Sequence, residues 1–325
     1  MTIKEIAKKA EVSVATVSNI LNGKDKRYSE ATRARVCAVI EEHQYMPSFT
    51  ARALSRQQTK MIACVIRSMN MPYGIQIMAG AEAYCAENGY SLVICNANCS
   101  VDKVKTYLRG LKAKGVEGVI LSYELVELRE EILQLQSQGI QVITTQNSDI
   151  EGVYIVGMDN FLMMLQARRY MTRIGYKRVA YISQGVNTCN EKKLYEGFRQ
   201  GSLEAGEDIG ELVTYGGDSI EERLYQAMDQ VDSKVYEALL TINTTFVETI
   251  NNYYSEKNIP QNKRKPIYVI TPRDIAPEVL GVESHAIRFD VSGESVGGLA
   301  AKTLIGAIEG EKLPMRQSIM PKMIE

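Results

Sequence analysis

Between residues 61 and 319 the sequence keeps changing its period. Short, continuous apolar runs at 61–66, 90–95, 118–121, 141–144, 178–182, 212–215, 238–242 and 267–270 alternate with longer amphipathic segments, and a short run at 317–319 closes the series. The amphipathic segments fall at 73–88, 101–114, 126–138, 161–174, 191–205, 220–231, 246–256 and 293–309, with apolar residues spaced three or four apart. Strands separated by helices cannot pair through tight turns. The repeating unit is therefore βαβ, and its sheets are parallel. Helices on both faces also explain why the runs are apolar throughout rather than alternating. About 265 residues of this pattern exceed one doubly wound sheet. Two similar halves with a ligand cleft between them fit better.

The first sixty residues read differently. Thr2 stands three before Glu5, the spacing of a capping box, and Ile3, Ile6, Ala7 and Ala10 follow at helical spacing. Ser13 can cap a second helix whose inward stripe is Val17, Ile20 and Leu21. Its other face carries Ala15, Ser18, Asn19 and Asn22, small and polar enough to approach base edges. A third helix is expected from Ser29–Glu30 to about His43. Two short helices joined by a tight turn can place the second in the major groove of DNA. A plain three-helix bundle gives the same pattern, and charge separates the two readings. Residues 1–60 hold eleven Lys or Arg against six acids, a net +5, while the whole chain is −1. A basic end on an acidic body is the footprint of a polyanion-binding module.

Pro47 stops the third helix, and Ser48 can cap a two-turn helix over 49–55. A helix that short is unstable alone and orders only against a partner. Leu54 between Arg52 and Arg56 suits minor-groove insertion, with the cations on phosphates. The competing reading is a plain linker.

"IKEIAKKAEVSVATVSNILNG", "YSEATRARV" and "PSFTARAL" occur here in an order and spacing that resemble the headpiece and hinge of the LacI/GalR family of bacterial transcription repressors. "GMDNFLMMLQARRYMTRIGYKRVAYI", from Gly157, extends the resemblance into the body. It implies an α/β chain with an N-terminal three-helix helix-turn-helix DNA-binding domain (1–46), a hinge helix (47–58) and a two-subdomain periplasmic-binding-protein-like core (59–325). The first subdomain would comprise about 59–158 and 290–318, the second about 159–289 and 319–325, with crossings near Asp159, Asp290 and Ile319. By resemblance, Thr16, Ser18 and Asn22 touch phosphates, Val14, Ala15 and Asn19 read bases, and Leu54 is the wedge. Asn19 stands where Arg is usual, which moves the base preference from guanine toward adenine. Glu11 replaces the usual Gly of the turn.

The resemblance also implies a homodimer on a pseudo-palindromic double-stranded operator, paired partly through helix 73–88, and a small-molecule effector in the cleft. There the chain departs from the family. Leu194 replaces an effector-gripping Arg, Asn243 or Thr244 replaces an Asp, and Thr271-Pro-Arg-Asp274 replaces Gly-Phe-Asp-Asp. Losing an Arg and an Asp removes the stronger polar contacts, so no sugar or purine effector carries over. The candidate contacts are Tyr73, Tyr123, Gln146, Asn190, Arg273 and Asp274, with Arg273 pointing toward an anion. A vestigial pocket, giving an effector-independent repressor, is the rival reading.

No run of eighteen apolar residues exists, so no membrane helix is expected. A DNA-binding module in place of an export signal points to the cytoplasm. Six cysteines without a Cys-x-x-Cys pair read as buried reduced thiols, with no metal or cofactor implied. No Gly-x-Gly-x-x-Gly or P-loop follows a strand, Asp218 reads as an N-cap and His285 as a loop residue, so no enzyme is expected. A solute-binding sensor would share the cleft but lack residues 1–56. A sugar-processing enzyme would need paired carboxylates in it.

Overall fold

The computed structural model describes residues 1–21, 28–43, 59–123, 127–183, 188–207, 219–232, 235–273 and 284–324. It divides into two compact units, Met1–Thr59 and Lys60–Glu325.

The first unit contains α1 (Ile3–Lys9), α2 (Val14–Leu21) and α3 (Glu30–Glu42). Both halves of the capping box form: the Thr2 amide donates to Glu5 Oε2 (2.7 Å) and the Glu5 amide donates to Thr2 Oγ1 (3.4 Å). The Thr2 amide, and then the Thr2 hydroxyl, favour the ionised carboxylate and hold the Glu5 pKa below its ordinary value. Ser13 Oγ accepts the Thr16 amide (3.0 Å) to start α2, and Ser29 Oγ accepts the Thr32 amide (3.2 Å) to start α3. Ile6, Ala7, Ala10, Val17, Ile20 and Val36 make the core. Glu11, in the turn between α1 and α2, has φ +52°. That is the left-handed region a Gly enters freely, and a side chain there costs about 1–2 kcal/mol. The expected hinge helix, with Arg52, Leu54 and Arg56, and Asn22 lie outside the described residues.

The second unit contains two sheets. One has six parallel strands in the order β10-β5-β4-β3-β1-β2: β1 (Met61–Ile66), β2 (Ser91–Asn96), β3 (Gly118–Ser122), β4 (Gln141–Thr144), β5 (Tyr154–Met158) and β10 (Arg316–Ile319). The other has the order β11-β9-β8-β7-β6: β6 (Val179–Tyr181), β7 (Ala238–Thr241), β8 (Ile267–Pro272), β9 (Ser284–Phe289) and β11 (Met323–Ile324). It is parallel except where β11 meets β9. Successive residues of β1 feed opposite apolar clusters, Ala63 and Val65 on one face and Ile62, Cys64 and Ile66 on the other. This is how an unbroken apolar run becomes a strand buried twice.

The helices are α4 (Pro72–Glu87), α5 (Val101–Leu111), α6 (Arg129–Ser137), α7 (Asn160–Arg173), α8 (Cys189–Glu204), α9 (Ile220–Asp232), α10 (Thr245–Glu256) and α11 (Gly293–Ile308). Helix α4 packs on α11 at backbone distance. A Cβ on Gly297 would lie 1.9 Å from the Ile77 carbonyl oxygen, and one on Gly80 would lie 2.0 Å from that of Glu294. In the second lobe Arg168, 1% exposed, ties three elements together. Its Nε donates to Ser202 Oγ (3.1 Å), its Nη1 to Thr172 Oγ1 (2.6 Å) and its Nη2 to the Lys177 carbonyl.

Among the described residues the chain passes between the sheets three times, after β5, after β9 and after β10. The crossings lie side by side. The Asp159 amide donates to the Ile319 carbonyl (3.3 Å), and the Asp290 amide to that of Lys322 (2.7 Å).

Several expectations differ from the structure. The helix over 101–114 turns 3₁₀ at Lys112–Lys114, where Gly115 at φ +77° ends it. The helix expected over 126–138 spans Arg129–Ser137. Strands β9 and β11 were not expected, because Ser284, His285 and Arg288 interrupt the apolar run and β11 is two residues long. His285 is therefore a strand residue, stacked on Tyr268 with centroids 4.8 Å apart. Cys64, Cys85 and Cys95 are buried, but Cys37, Cys99 and Cys189 are exposed, half the set against the expected burial. The expected strand over 212–215 and the Asp218 cap lie outside the described residues.

Candidate functional site

Two places carry polar groups in arrangements that core packing does not require. The first is α2. With Val17 and Ile20 committed to the headpiece core, the opposite surface presents Val14 (41% exposed), exposed Ala15, and half-exposed Thr16, Ser18 and Asn19. Ser13 caps the helix start, so its first turn is set at the end where backbone N–H groups favour an anion. Lys9 Nζ donates to His43 Nε2 (2.8 Å), joining the ends of α1 and α3.

The second is the region between the two sheets, where the C-terminal ends of the parallel strands converge. Ligands of open α/β sheets sit at such ends. The expected residues divide here. Gln146, just after β4, and Asn190, in the first turn of α8, are brought together: Asn190 Nδ2 donates to Gln146 Oε1. Asn147, which the sequence reading passed over, completes the contact. Its amide and its Nδ2 both donate to Asn190 Oδ1 (3.0 and 2.8 Å). Arg316 Nη1, from β10, donates to Asn147 Oδ1 (2.6 Å). A chain of amides thus joins the first lobe to the second. Adjacent Gln and Asn after a strand were its only sequence signal.

Tyr73 is half-buried in the first turn of α4 against the first-lobe cluster, where burial pushes its phenol pKa up. Tyr123 is 6% exposed and packs among apolar side chains, which leaves little of its ring for a ligand. Arg273 is on the surface, its Nη1 donating to Asp290 Oδ1 (3.1 Å). Asp274 lies outside the described residues. Leu194, where the resemblance expects an Arg, is buried in the second-lobe core. Nearby, Thr271 Oγ1 and Arg288 Nε are buried without a hydrogen-bond partner, and neither was selected as a ligand contact from the sequence.

Among the described residues no group of His, Cys, Asp and Glu is arranged to hold a metal ion. No helix among them is long and apolar enough to cross a membrane.

Comparison with known proteins agrees with this division. Residues 2–48 match the profile "Bacterial regulatory proteins, lacI family". Residues 59–259 match "Periplasmic binding proteins and sugar binding domain of LacI family". The HTH-type transcriptional regulator PtxS of Pseudomonas putida is 32% identical over 227 residues, 66% of this chain and 67% of PtxS. The ribose operon repressor of Escherichia coli is 32% identical over 219 residues, 67% of this chain and 66% of that protein. For the HTH-type regulator RegA of Clostridium saccharobutylicum the match spans 64% of the relative's length. The matched stretch is thus about two thirds of the length of these curated relatives. The lac repressor dimer bound to operator and an anti-inducer shares the fold, with TM-score 0.78 over 100% of this chain and 98% of that one at 18% identity.

Proposed function

The chain belongs to the LacI family of bacterial regulatory proteins, and from that premise we propose that it is a sequence-specific DNA-binding transcriptional regulator, a repressor rather than an enzyme. It binds a pseudo-palindromic operator as a homodimer, one headpiece per half-site, and a small molecule between the lobes of the core modulates its affinity. The working division is a headpiece (1–46), a hinge (47–58) and a core (59–325), acting in the cytoplasm. The observation that carries the reading is α2. Its start is capped by Ser13, its inner stripe is buried, and its outer residues Val14, Ala15, Thr16, Ser18 and Asn19 face away from the headpiece core on a net-basic segment.

Each residue takes a distinct role. Thr16, Ser18 and Asn22 hold phosphates and fix register. Val14, Ala15 and Asn19 read base edges. Leu54, flanked by Arg52 and Arg56, wedges the minor groove. The amide of Asn19 is suited to adenine N6 and N7. Selection of binding sites from random duplexes tests this. The full-length chain is expected to select a two-fold symmetric site, and Asn19→Arg is expected to change the preferred base at one symmetric position toward guanine. Unchanged preference would remove Asn19 from the reading set, and selection of no duplex would remove the function. In the core, ligand alters the relation of the two lobes, and typical couplings of about 1–3 kcal/mol give roughly 5- to 150-fold changes in affinity.

A further inference from the structure

Buried polar atoms without partners are few in folded proteins, and two of this chain's stand next to each other. Thr271 and Arg288 are register partners in the parallel β8–β9 pair, so their side chains leave the sheet on the same face. Residues two and four back on β8, Val269 and Ile267, pack into the apolar cluster with Leu224 and Phe246. Ala286, two back on β9, packs against the same cluster. Thr271 and Arg288 therefore crown that cluster at the C-terminal ends of their strands, where an α/β lobe takes its ligand. Thr271 is 1% exposed and its Oγ1 has no partner; Arg288 Nε, beside it, has none either.

Both groups are donors, one a hydroxyl and one a fixed guanidinium cation, and their natural complement is an oxygen-rich anion. Arg273, the cation that the sequence suggested for an anionic ligand, is held by Asp290 at 3.1 Å. Arg273 and Asp290 come two residues after Thr271 and Arg288, just past the ends of β8 and β9. They are the charged groups just beyond the pair, already matched to each other.

We propose that Arg288 and Thr271 form an oxyanion subsite of the core, taking the carboxylate or phosphate group of a small effector. The subsite rests on the reading of the inter-lobe region as a ligand site, and it narrows that ligand to an anion. Arg288 supplies the charge and Thr271 the second hydrogen bond. The apolar cluster beneath keeps water from competing.

The full-length protein is titrated with inorganic phosphate and, separately, with acetate, against chloride at constant ionic strength, and its melting is followed. At saturation one of the two is expected to raise the melting temperature by about 3 °C or more, and which one identifies the group. Arg288→Gln is expected to abolish the rise, Thr271→Val to reduce it, and Arg288→Lys to keep part of it. Without added anion, Arg288→Gln is expected to melt no lower than wild type, because Arg288 Nε makes no hydrogen bond for the substitution to break. No shift with either anion overturns the subsite. So does a shift that survives Arg288→Gln, or an anion-free Arg288→Gln that melts several degrees lower, which would make Arg288 a structural residue. Wild-type operator binding, measured alongside, separates a failed subsite from a failed regulator.

Discussion

Replacing Asn190 by Ala tests whether the amide chain between the lobes works as a unit. The substitution removes three hydrogen bonds: two accepted by Oδ1 from Asn147, at 3.0 and 2.8 Å, and one donated to Gln146. A typical intramolecular bond contributes about 1 kcal/mol net. These groups are only part-buried and water replaces some of the loss, so the expected cost is about 1.5–3 kcal/mol. For a chain of this size each kcal/mol moves the melting temperature by roughly 2–4 °C. A drop of about 3–12 °C is expected, with a rise in the radius of gyration by X-ray scattering as the lobes separate. Asn147→Ala removes one of the same bonds, that donated by Nδ2, since its backbone amide still donates to Asn190, and it orphans Arg316 Nη1. The double variant is then expected to cost less than the sum of the singles, with a coupling of about 0.5–3 kcal/mol. Additive singles, or an Asn190→Ala chain that melts within 1 °C of wild type at unchanged radius, would refute the claim that these amides hold the lobes together.

Three further outcomes follow from the packing. Arg168→Ala leaves the Ser202 and Thr172 hydroxyls and the Lys177 carbonyl without their donor inside the second lobe, and is expected to cost about 3–5 kcal/mol in denaturant unfolding. Gly297→Ala sets a Cβ 1.9 Å from the Ile77 carbonyl oxygen, so α4 and α11 must part; a loss of about 1–3 kcal/mol, read from the chemical-denaturation midpoint, is expected. Glu204 receives two hydrogen bonds from Arg169 (2.6 and 2.8 Å), which hold its pKa at about 2. Its stabilisation is therefore present above the ordinary carboxylate range and fades as pH falls toward 2. The pair is largely exposed, so Glu204→Gln is expected to cost no more than about 1 kcal/mol at pH 7, and the difference from wild type should shrink between about pH 4.5 and pH 2.

Period and punctuation made most of the architecture legible. Met61–Ile66 and Gln141–Thr144 are strands at the bounds read from their apolar runs. Such runs have no other way to bury both faces than inside a parallel sheet. Thr2, Ser13 and Ser29 marked helix starts because a cap is a local bond, written within four residues of sequence. The strand Ser284–Phe289 escaped because Arg288 stands in it, and an arginine is placed in a strand by what lies across the sheet, not by its neighbours in sequence.

What sequence alone determined was therefore everything local: caps, periods, the basic headpiece, and the small polar face of α2. Which side-chain donors find a partner was settled by folding. Arg273 and Arg288 look alike in the chain, yet one meets Asp290 while the other stops beside an unbonded threonine hydroxyl. Likewise Gln146, Asn147, Asn190 and Arg316 lie up to 170 positions apart and become neighbours only when both lobes are in place. Charge satisfaction depends on distance in space, and distance in space is a property of the assembled sheets.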